Sequence, residues 1–490
     1  MLHSRRQFCN QLASIAGFAL SAGSLRGATT PFKQPNIVFF LIDDMGWADL
    51  GCYGDRFHET PNIDRLAHEG MRFTNAYAGA PVCSPSRASI LTGKAPARLH
   101  LTQWIPGTLY PYKRLLEAPT QLHLELGIST IASILKQSGY RTGAIGKWHL
   151  GGDGYLPENF GFDVNIAGDN HGHPPSYFGP FHFHNLTGYT PKDYLTDVLT
   201  QKMDAFVRDS AGISPFFLYM AEYSVHLPLE AKLTMIEKYR RKNGGKDEPD
   251  PVYAAMIEST DIALGSLRSV LERAGVADNT IILLTSDNGG VGFQGRRLHR
   301  IADNGGLRAG KGYLYEGGIR EPLIVHWPGI TRADTVCDVP VIGMDYMPTL
   351  LNMAGAGPLP QPCDGLDFTG LLRGGNSLNR DTLYWHYPHY SDQGGTPSGA
   401  IHEGDWKLIE FFEDNHVELY NLALDPGEQY DFASSFGPKA VDLRAKLQNW
   451  RKNVNAVMPT RNPNFNPALE VARRGPAGCS WDPSSNCQED

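Results

Sequence analysis

The stretch Asn36-Ile37-Val38-Phe39-Phe40-Leu41-Ile42-Asp43-Asp44 decides the fold. From Ile37 to Ile42 the apolar residues neither alternate with polar ones nor pause, the pattern of a parallel strand covered on both faces. Runs of the same texture recur at Phe216-Phe217-Leu218-Tyr219-Met220, Thr280-Ile281-Ile282-Leu283-Leu284 and Pro322-Leu323-Ile324-Val325, with a shorter one from Thr142 to Gly146. Helical patterns lie between them. One opens at Thr60-Pro61 and stops at Gly70, and another runs from Thr130 to Gly139. A third places Leu195, Val198, Leu199, Met203 and Phe206 on one face, and a longer one covers Tyr253 to Ala274. Strand and helix alternate through about residue 355, which predicts an α/β fold: a large, mostly parallel sheet flanked by helices.

Beyond Pro358 the texture changes. Short strand-like runs at Ala400-Ile401, Trp406-Lys407-Leu408-Ile409 and Val417-Glu418-Leu419-Tyr420 are split by turn residues, and an amphipathic pattern follows from Ala440 to Trp450. This predicts a smaller C-terminal α+β domain with a short antiparallel sheet. The expected organisation is an export signal over 1–28, a catalytic α/β domain over 29–374, the C-terminal subdomain over 375–455 and a tail over 456–490.

Composition narrows the function classes. With 490 residues, 41% hydrophobic and 20% charged, the chain is an ordinary packed protein, neither disordered, collagenous nor a coiled coil. Its 44 basic and 52 acidic residues give a net charge of -8 and offer no basic surface to a phosphate backbone, so no nucleic-acid partner is expected. At the start, Ser4-Arg5-Arg6-Gln7-Phe8 precedes a mildly apolar stretch from Leu12 to Ala22 and then Gly27-Ala28-Thr29-Thr30. That is too short to span a bilayer and has the parts of a twin-arginine export signal, although a basic tail has the same composition. No later run has the length of a transmembrane helix. The expected location is outside the cytoplasm, periplasmic or extracellular. In an exported protein, Cys479 with Cys487 would staple the tail and Cys337 with Cys363 would form a second disulfide, leaving Cys52 and Cys83.

Ligands of open α/β sheets bind beyond the carboxyl ends of the strands, so acidic residues there carry weight. Asp43-Asp44 closes the first strand, and Asp287-Asn288-Gly289-Gly290 closes the one beginning at Thr280. Three carboxylates and an amide are hard oxygen donors, suited to Ca²⁺ or Mg²⁺. Either pair alone serves equally as a cap for a turn. Cys83 stands in Pro81-Val82-Cys83-Ser84-Pro85-Ser86-Arg87, where Pro85 suits a first helical turn and sets residue 83 at a positive N-terminus with Arg87 one turn on. A nucleophile in an anion site is the result.

That stretch, followed by Gly139-Tyr140-Arg141-Thr142-Gly143-Ala144-Ile145-Gly146-Lys147-Trp148-His149, resembles the two signatures of the type I, formylglycine-dependent sulfatases of the alkaline-phosphatase superfamily. The resemblance extends through Asp43-Asp44, Val225-His226-Leu227-Pro228, Asp287-Asn288, Gly310-Lys311-Gly312-Tyr313-Leu314-Tyr315-Glu316-Gly317-Gly318 and Gly404-Asp405-Trp406-Lys407-Leu408-Ile409. It looks most like the carbohydrate-sulfatase branch, near the N-acetylgalactosamine sulfatases and bacterial polysaccharide sulfatases. The resemblance implies that a maturation enzyme oxidises Cys83 to formylglycine, whose hydrated aldehyde attacks the sulfur of a sulfated carbohydrate. It implies one Ca²⁺ held by Asp43, Asp44, Asp287, Asn288 and the modified residue 83. Arg87, Lys147 and Lys311 match the family's cations around the sulfate, and His149 and His226 its proton-transfer groups.

A phosphatase of the same superfamily, an aryl sulfatase and a non-catalytic carbohydrate-binding protein on the same fold are the rival readings. The arginine and lysines occupy the place where a second phosphatase metal would sit, which favours sulfate. No signature covers the stretch from Gly168 to Gly188, with histidines at 171, 173, 182 and 184. It reads as a long loop in which His171 and His173 are candidates to grip substrate, with structural roles equally open.

Overall fold

The computed structural model describes residues 34–183, 185–245, 249–292 and 301–470. The export stretch, His184, Cys479 and Cys487 fall outside these residues. The strands in chain order are β1 (Asn36–Ile42), β2 (Met71–Tyr77), β3 (Leu115–Leu116), β4 (Arg141–Gly146), β5 (Val164–Ile166), β6 (Phe216–Ala221), β7 (Thr280–Ser286) and β8 (Arg320–His326). They continue with β9 (Thr335–Cys337), β10 (Val341–Ile342), β11 (Thr382–Tyr387), β12 (Ser398–Glu403), β13 (Trp406–Phe411), β14 (Val417–Asn421) and β15 (Thr460–Arg461). The main sheet has the order β10-β2-β8-β7-β1-β6-β4-β5, with β9 also paired to β2. All its pairings are parallel except the two made by β8. The apolar run from Pro322 to Val325 is therefore antiparallel: a strand buried on both faces reads the same in either direction.

Every residue of β1 is buried, and its two faces feed two separate cores. Val38, Phe40 and Ile42 pack under the helices Pro61–Glu69, Leu195–Ser210 and Pro251–Arg273. Ile37, Phe39 and Leu41 pack under Cys83–Thr92, Ile131–Gln137 and Tyr346–Ala354. The helix starts follow local chemistry. Thr130 accepts the Ser133 N–H in a capping box, and the Asp250 carboxylate accepts the N–H groups of Val252 and Tyr253. The helix Cys83–Thr92 has no exposed residue, so its polar side chains must find partners inside the protein.

β11 to β14 form an antiparallel meander with the expected alternation. Ile401, Leu408 and Leu419 face Ala440, Leu443 and Leu447 of the helix Gly437–Asn453. Ala400, Ile409 and Tyr420 face the opposite way, onto Tyr77, Val82, Leu314, Tyr315 and Ile319 of the larger layer. The tail is tied back by backbone pairing of β15 with β3, and Asn462 Nδ2 donates to the carbonyls of Pro111 and Lys113.

The expected Cys337–Cys363 disulfide is absent, and both are free thiols. Cys337 ends β9 opposite Phe73 in the second core, whereas the Cys363 thiol lies 3.4 Å from the carbonyl of Gly93, past the end of the Cys83–Thr92 helix. The two cysteines are committed to different elements. Cys52 is free as well.

Phe39 joins β1 to its second core through ring contacts with Tyr219 at 6.0 Å and Tyr346 at 5.4 Å. Phe39→Ala is expected to cost about 3–5 kcal/mol, read as a shift in the denaturant midpoint, because its fully buried site cannot refill.

Candidate active site

Strand register sets the floor of the site. Ile42 of β1 pairs with Ser286 of β7, so Asp43 and Asp287 leave the sheet at one level, and the Asp287 N–H donates to the Ile42 carbonyl at 3.2 Å. Gly146 of β4 pairs with Ala221 of β6, which brings Lys147 out at the same end. Asp44 adopts a left-handed φ of 61° and its N–H donates to Asp287 Oδ1 at 3.2 Å. The Asn288 amide then donates to Asp44 Oδ1 at 2.8 Å.

Each carboxylate meets one cation. Lys147 Nζ is 2.6 Å from Asp43 Oδ2, Lys311 Nζ is 2.8 Å from Asp44 Oδ2, and Arg87 Nε is 2.8 Å from Asp287 Oδ2. Arg87 also donates to the Lys147 carbonyl at 3.0 Å and stands 3.7 Å from Asp43 Oδ1. All six side chains are buried, Arg87 completely. Taking this much charge out of water is sustained only by close pairing. Against the desolvation that burial imposes, Lys311 and His226 hold Asp44 well below the usual carboxylate range, and Arg87 and Lys147 lower Asp287.

The pairing is incomplete, and on the donor side Arg87 Nη2 has no hydrogen-bond partner. Asp43 Oδ1 and Asn288 Oδ1 are buried with no hydrogen-bond partner. Burial, together with the charge of Asp287, pushes Asp43 well above its ordinary range despite Lys147. A buried acceptor set of hard oxygens with unspent lone pairs fits a divalent cation such as Ca²⁺, with Asp43, Asp44, Asp287 and Asn288 as its holders.

Cys83 is the first residue of its helix and is 2% exposed. Its sulfur forms one cluster with oxygens of Asp43 and Asp287, and a second with Asp44 and His226, all within 4.8 Å of one another. Although burial raises a thiol's pKa, Lys147 and Lys311 bring this one down to about 6. His226 lies beside the Cys83 sulfur. Its Nδ1 lies 2.9 Å from the Leu227 carbonyl and so carries the proton, leaving Nε2 as the free nitrogen, 3.4 Å from Asp44 Oδ2. His149 Nε2 donates to the Ile105 carbonyl, which leaves a buried Nδ1 without a partner. Burial and Lys147 hold His149 well below its usual range, in the neutral form.

The histidine-bearing loop covers both of these rings. Asp169 accepts the His149 N–H on its backbone oxygen at 3.0 Å. A Cβ at Gly172 would sit 2.8 Å from His149 Cε1. The His173 ring lies parallel to His226, 5.7 Å away and 4° from coplanar in tilt. His171 Nδ1 is 2.7 Å from Asp169 Oδ1 and its side chain is partly exposed; this bond raises its pKa. His182 is exposed.

Sequence reasoning missed three supporting groups. The Ile105 carbonyl fixes the His149 tautomer, Asp169 orients the loop, and Tyr177 OH donates to the carbonyls of Tyr223 and His226 on either side of the turn that carries His226. A backbone carbonyl and a lone Tyr or Asp in a loop leave no pattern in a sequence.

Residues 35–356 match the family described as Sulfatase, and residues 309–454 match N-sulphoglucosamine sulphohydrolase, C-terminal. Arylsulfatase A of Homo sapiens is 32% identical over 499 residues, covering 90% of this chain and 91% of the relative. N-acetylgalactosamine-6-sulfatase of Rattus norvegicus is 34% identical over 518 residues, covering 94% and 93%. Among solved structures, Ps i-CgsB in complex with k-i-k-neocarrahexaose superposes with a TM-score of 0.73 at 28% identity, covering 90% of this chain and 96% of that one. The chain therefore belongs to the sulfatase family and is a sulfuric ester hydrolase.

Proposed function

We propose that this sulfatase removes sulfate from a sulfated poly- or oligosaccharide, with residue 83 oxidised from cysteine to formylglycine and one Ca²⁺ held by Asp43, Asp44, Asp287, Asn288 and residue 83. The observation that carries the reading is the set of three buried cations, Arg87, Lys147 and Lys311, gathered around the N-terminus that bears Cys83. A sulfate ester resists attack because its oxygens carry negative charge. Cations fixed in place before the ester arrives offset that charge as it shifts in the transition state, without reorganisation at the moment of reaction.

Bound Ca²⁺ would add Lewis-acid polarisation of a sulfate oxygen. Hydrated formylglycine would supply two hydroxyls, one to attack sulfur and one whose deprotonation lets sulfate leave by return to the aldehyde. Lys147, Lys311 and Arg87 bind and orient the sulfate oxygens. His226, with Nδ1–H committed to the Leu227 carbonyl, takes up at Nε2 the proton of the attacking hydroxyl and passes it to the departing alcohol. His149, with Nε2–H committed to Ile105, accepts the proton of the second hydroxyl at Nδ1.

The leaving alcohol is the sugar, so it belongs on the His226 side, where His173 stacks and His171 is partly exposed. We assign both histidines to sugar contacts. A carbohydrate substrate agrees with the names of the relatives, N-acetylgalactosamine-6-sulfatase and the neocarrahexaose complex. Among the described residues no helix is long and apolar enough to cross a membrane. Export through the Arg5-Arg6 signal remains part of the proposal, as does a partner maturation enzyme. With Cys83 sealed inside the folded chain, that enzyme acts before folding closes the site.

Cys83→Ala is expected to abolish sulfate release while circular dichroism stays unchanged; residual turnover comparable to the matured wild type would overturn the nucleophile. Mass spectrometry of the peptide holding residue 83 from a host with maturation machinery reads the modification directly. Lys311→Ala should lower kcat/KM by about 10²–10³, the scale seen when one preorganised donor to a developing charge is lost.

Asp287→Asn should lower calcium content and activity together, measured by elemental analysis of the same preparation; full calcium with lost activity would remove Asp287 from the metal set. The phosphatase alternative fails if the sulfate ester of a phenol is cleaved faster than its phosphate ester.

His171→Ala and His173→Ala should reduce turnover of a sulfated oligosaccharide more than that of an aryl sulfate, because remote contacts orient the sulfate. Equal losses on both substrates would take the loop out of specificity. Brisk aryl sulfate hydrolysis with an inert oligosaccharide panel would overturn the carbohydrate assignment.

A further inference from the structure

We propose that Lys407, Glu316 and Glu428 are positioning residues through which the C-terminal sheet holds Lys311 and Asn288 in working geometry. The inference rests on the reading above for what Lys311 and Asn288 do; the wiring itself is geometric.

Lys407 lies on β13, on the face turned towards the larger layer, and its side chain is completely buried. Its Nζ is 2.9 Å from Glu316 Oε1 and 2.9 Å from Glu428 Oε1, and both glutamates are equally buried. Glu428 Oε2 accepts the Glu316 backbone N–H at 2.7 Å. Glu316 Oε2 accepts from Tyr77 OH at 3.0 Å and stands 3.5 Å from Arg320. Glu316 is thus gripped at its carboxylate and at its backbone, and two of its partners come from the C-terminal part of the chain. Among these buried groups one lysine bridges two carboxylates, so removing the lysine strands both of them.

Glu316 opens the short helix Glu316–Ile319, and the next two residues touch the active site from behind. The Gly317 N–H donates to the Arg308 carbonyl at 2.9 Å, closing the loop that carries Lys311. The Gly318 carbonyl accepts from the Gly289 N–H at 3.1 Å, next to Asn288, and the Lys311 N–H donates to the Gly290 carbonyl at 3.1 Å. The fit allows no slack. A Cβ on Gly289 would fall 2.0 Å from the Gly317 oxygen, and one on Gly318 would fall 2.1 Å from the Tyr313 oxygen. Arg308 doubles the link, with its guanidinium 3.9 Å from the Tyr315 ring centre and a 2.8 Å hydrogen bond to the Glu428 carbonyl. A displacement of Glu316 therefore passes to the sulfate cation and to the metal-holding turn together. None of the three residues touches substrate.

The test compares the full-length, matured wild type with Lys407→Met. Amide hydrogen exchange should accelerate in the peptides spanning 286–292 and 308–318. Calcium affinity, measured by competition with a chelating dye, should weaken about tenfold, as should kcat on an aryl sulfate at saturating calcium, the scale for groups that orient ligands. In a Lys311→Ala background the same change should lower kcat less than about twofold further, because the two act through one group. Full multiplication of the two losses would make the triad fold support only and overturn the proposal. Exchange confined to 398–421 with calcium affinity and kcat retained would do the same. Should Lys407→Met not fold, Glu428→Gln keeps the shape and the Lys407–Glu316 pair, and about a threefold loss in each readout is expected on the same reasoning; no change there refutes the wiring. The exchange measurement needs no turnover. A wild type without sulfatase activity would sink the functional reading while leaving the wiring to be judged by itself.

Discussion

Charge that cannot reach water governs this protein. Asp43, Asp44 and Asp287 leave the sheet in register and are buried, and each is matched by a cation from a different element: Lys147 beyond β4, Lys311 from the loop before Glu316, Arg87 from the helix of Cys83. Each of these charges buried alone would carry a large desolvation cost. The strands, the helix and the loop must therefore close together or not at all. The same pairing that makes burial tolerable places three positive groups beside residue 83. Fold and site follow from a single constraint.

The layers on either side serve that constraint. β1 carries no polar side chain between Ile37 and Ile42, and both of its faces are sealed, so its charged groups stand at its carboxyl tip. Low polarity behind the site strengthens each electrostatic interaction in front of it. The helix of Cys83 extends the principle: it is buried along its whole length and its first turn points into the charged cluster.

How much of this was legible in the sequence depended on whether the physics was local. Continuous apolar runs announced β1, β6 and β7, because burial on both faces leaves a mark in one segment. β2, reading Met71-Arg72-Phe73-Thr74-Asn75-Ala76-Tyr77, passed unnoticed since its half-buried polar residues resemble a loop. Strand direction was invisible for β8 for the reason that a fully covered strand carries no directional signature. The cations and carboxylates stood out as members of a resembled family, while their one-to-one pairing needed three dimensions. Cys337 and Cys363 misled because cysteine counting knows nothing of where each thiol is packed. The supports behind His149 and His226, Ile105 by its carbonyl and Tyr177 by a hydroxyl, act through groups that leave no sequence pattern, so only geometry reveals them.

Asp43 Oδ1, Asn288 Oδ1 and His149 Nδ1 are buried and without partners, and each such group costs free energy in the folded state, about 1–3 kcal/mol. Such atoms also occur elsewhere among the described residues, on Glu222, Glu321 and Arg451 for example; in the candidate site Arg87 Nη2 joins these three. A protein that tolerates this expense where the charge is densest has a surface completed by what binds there. A cation shared by the carboxylates and a sulfate facing the lysines would answer the vacant acceptors and the crowded donors respectively. Anything that binds only the folded chain stabilises it in proportion to its affinity. The site's ligand preference then follows from its electrostatics: unspent acceptor lone pairs beside the paired carboxylates, and positive groups placed to receive one more anion.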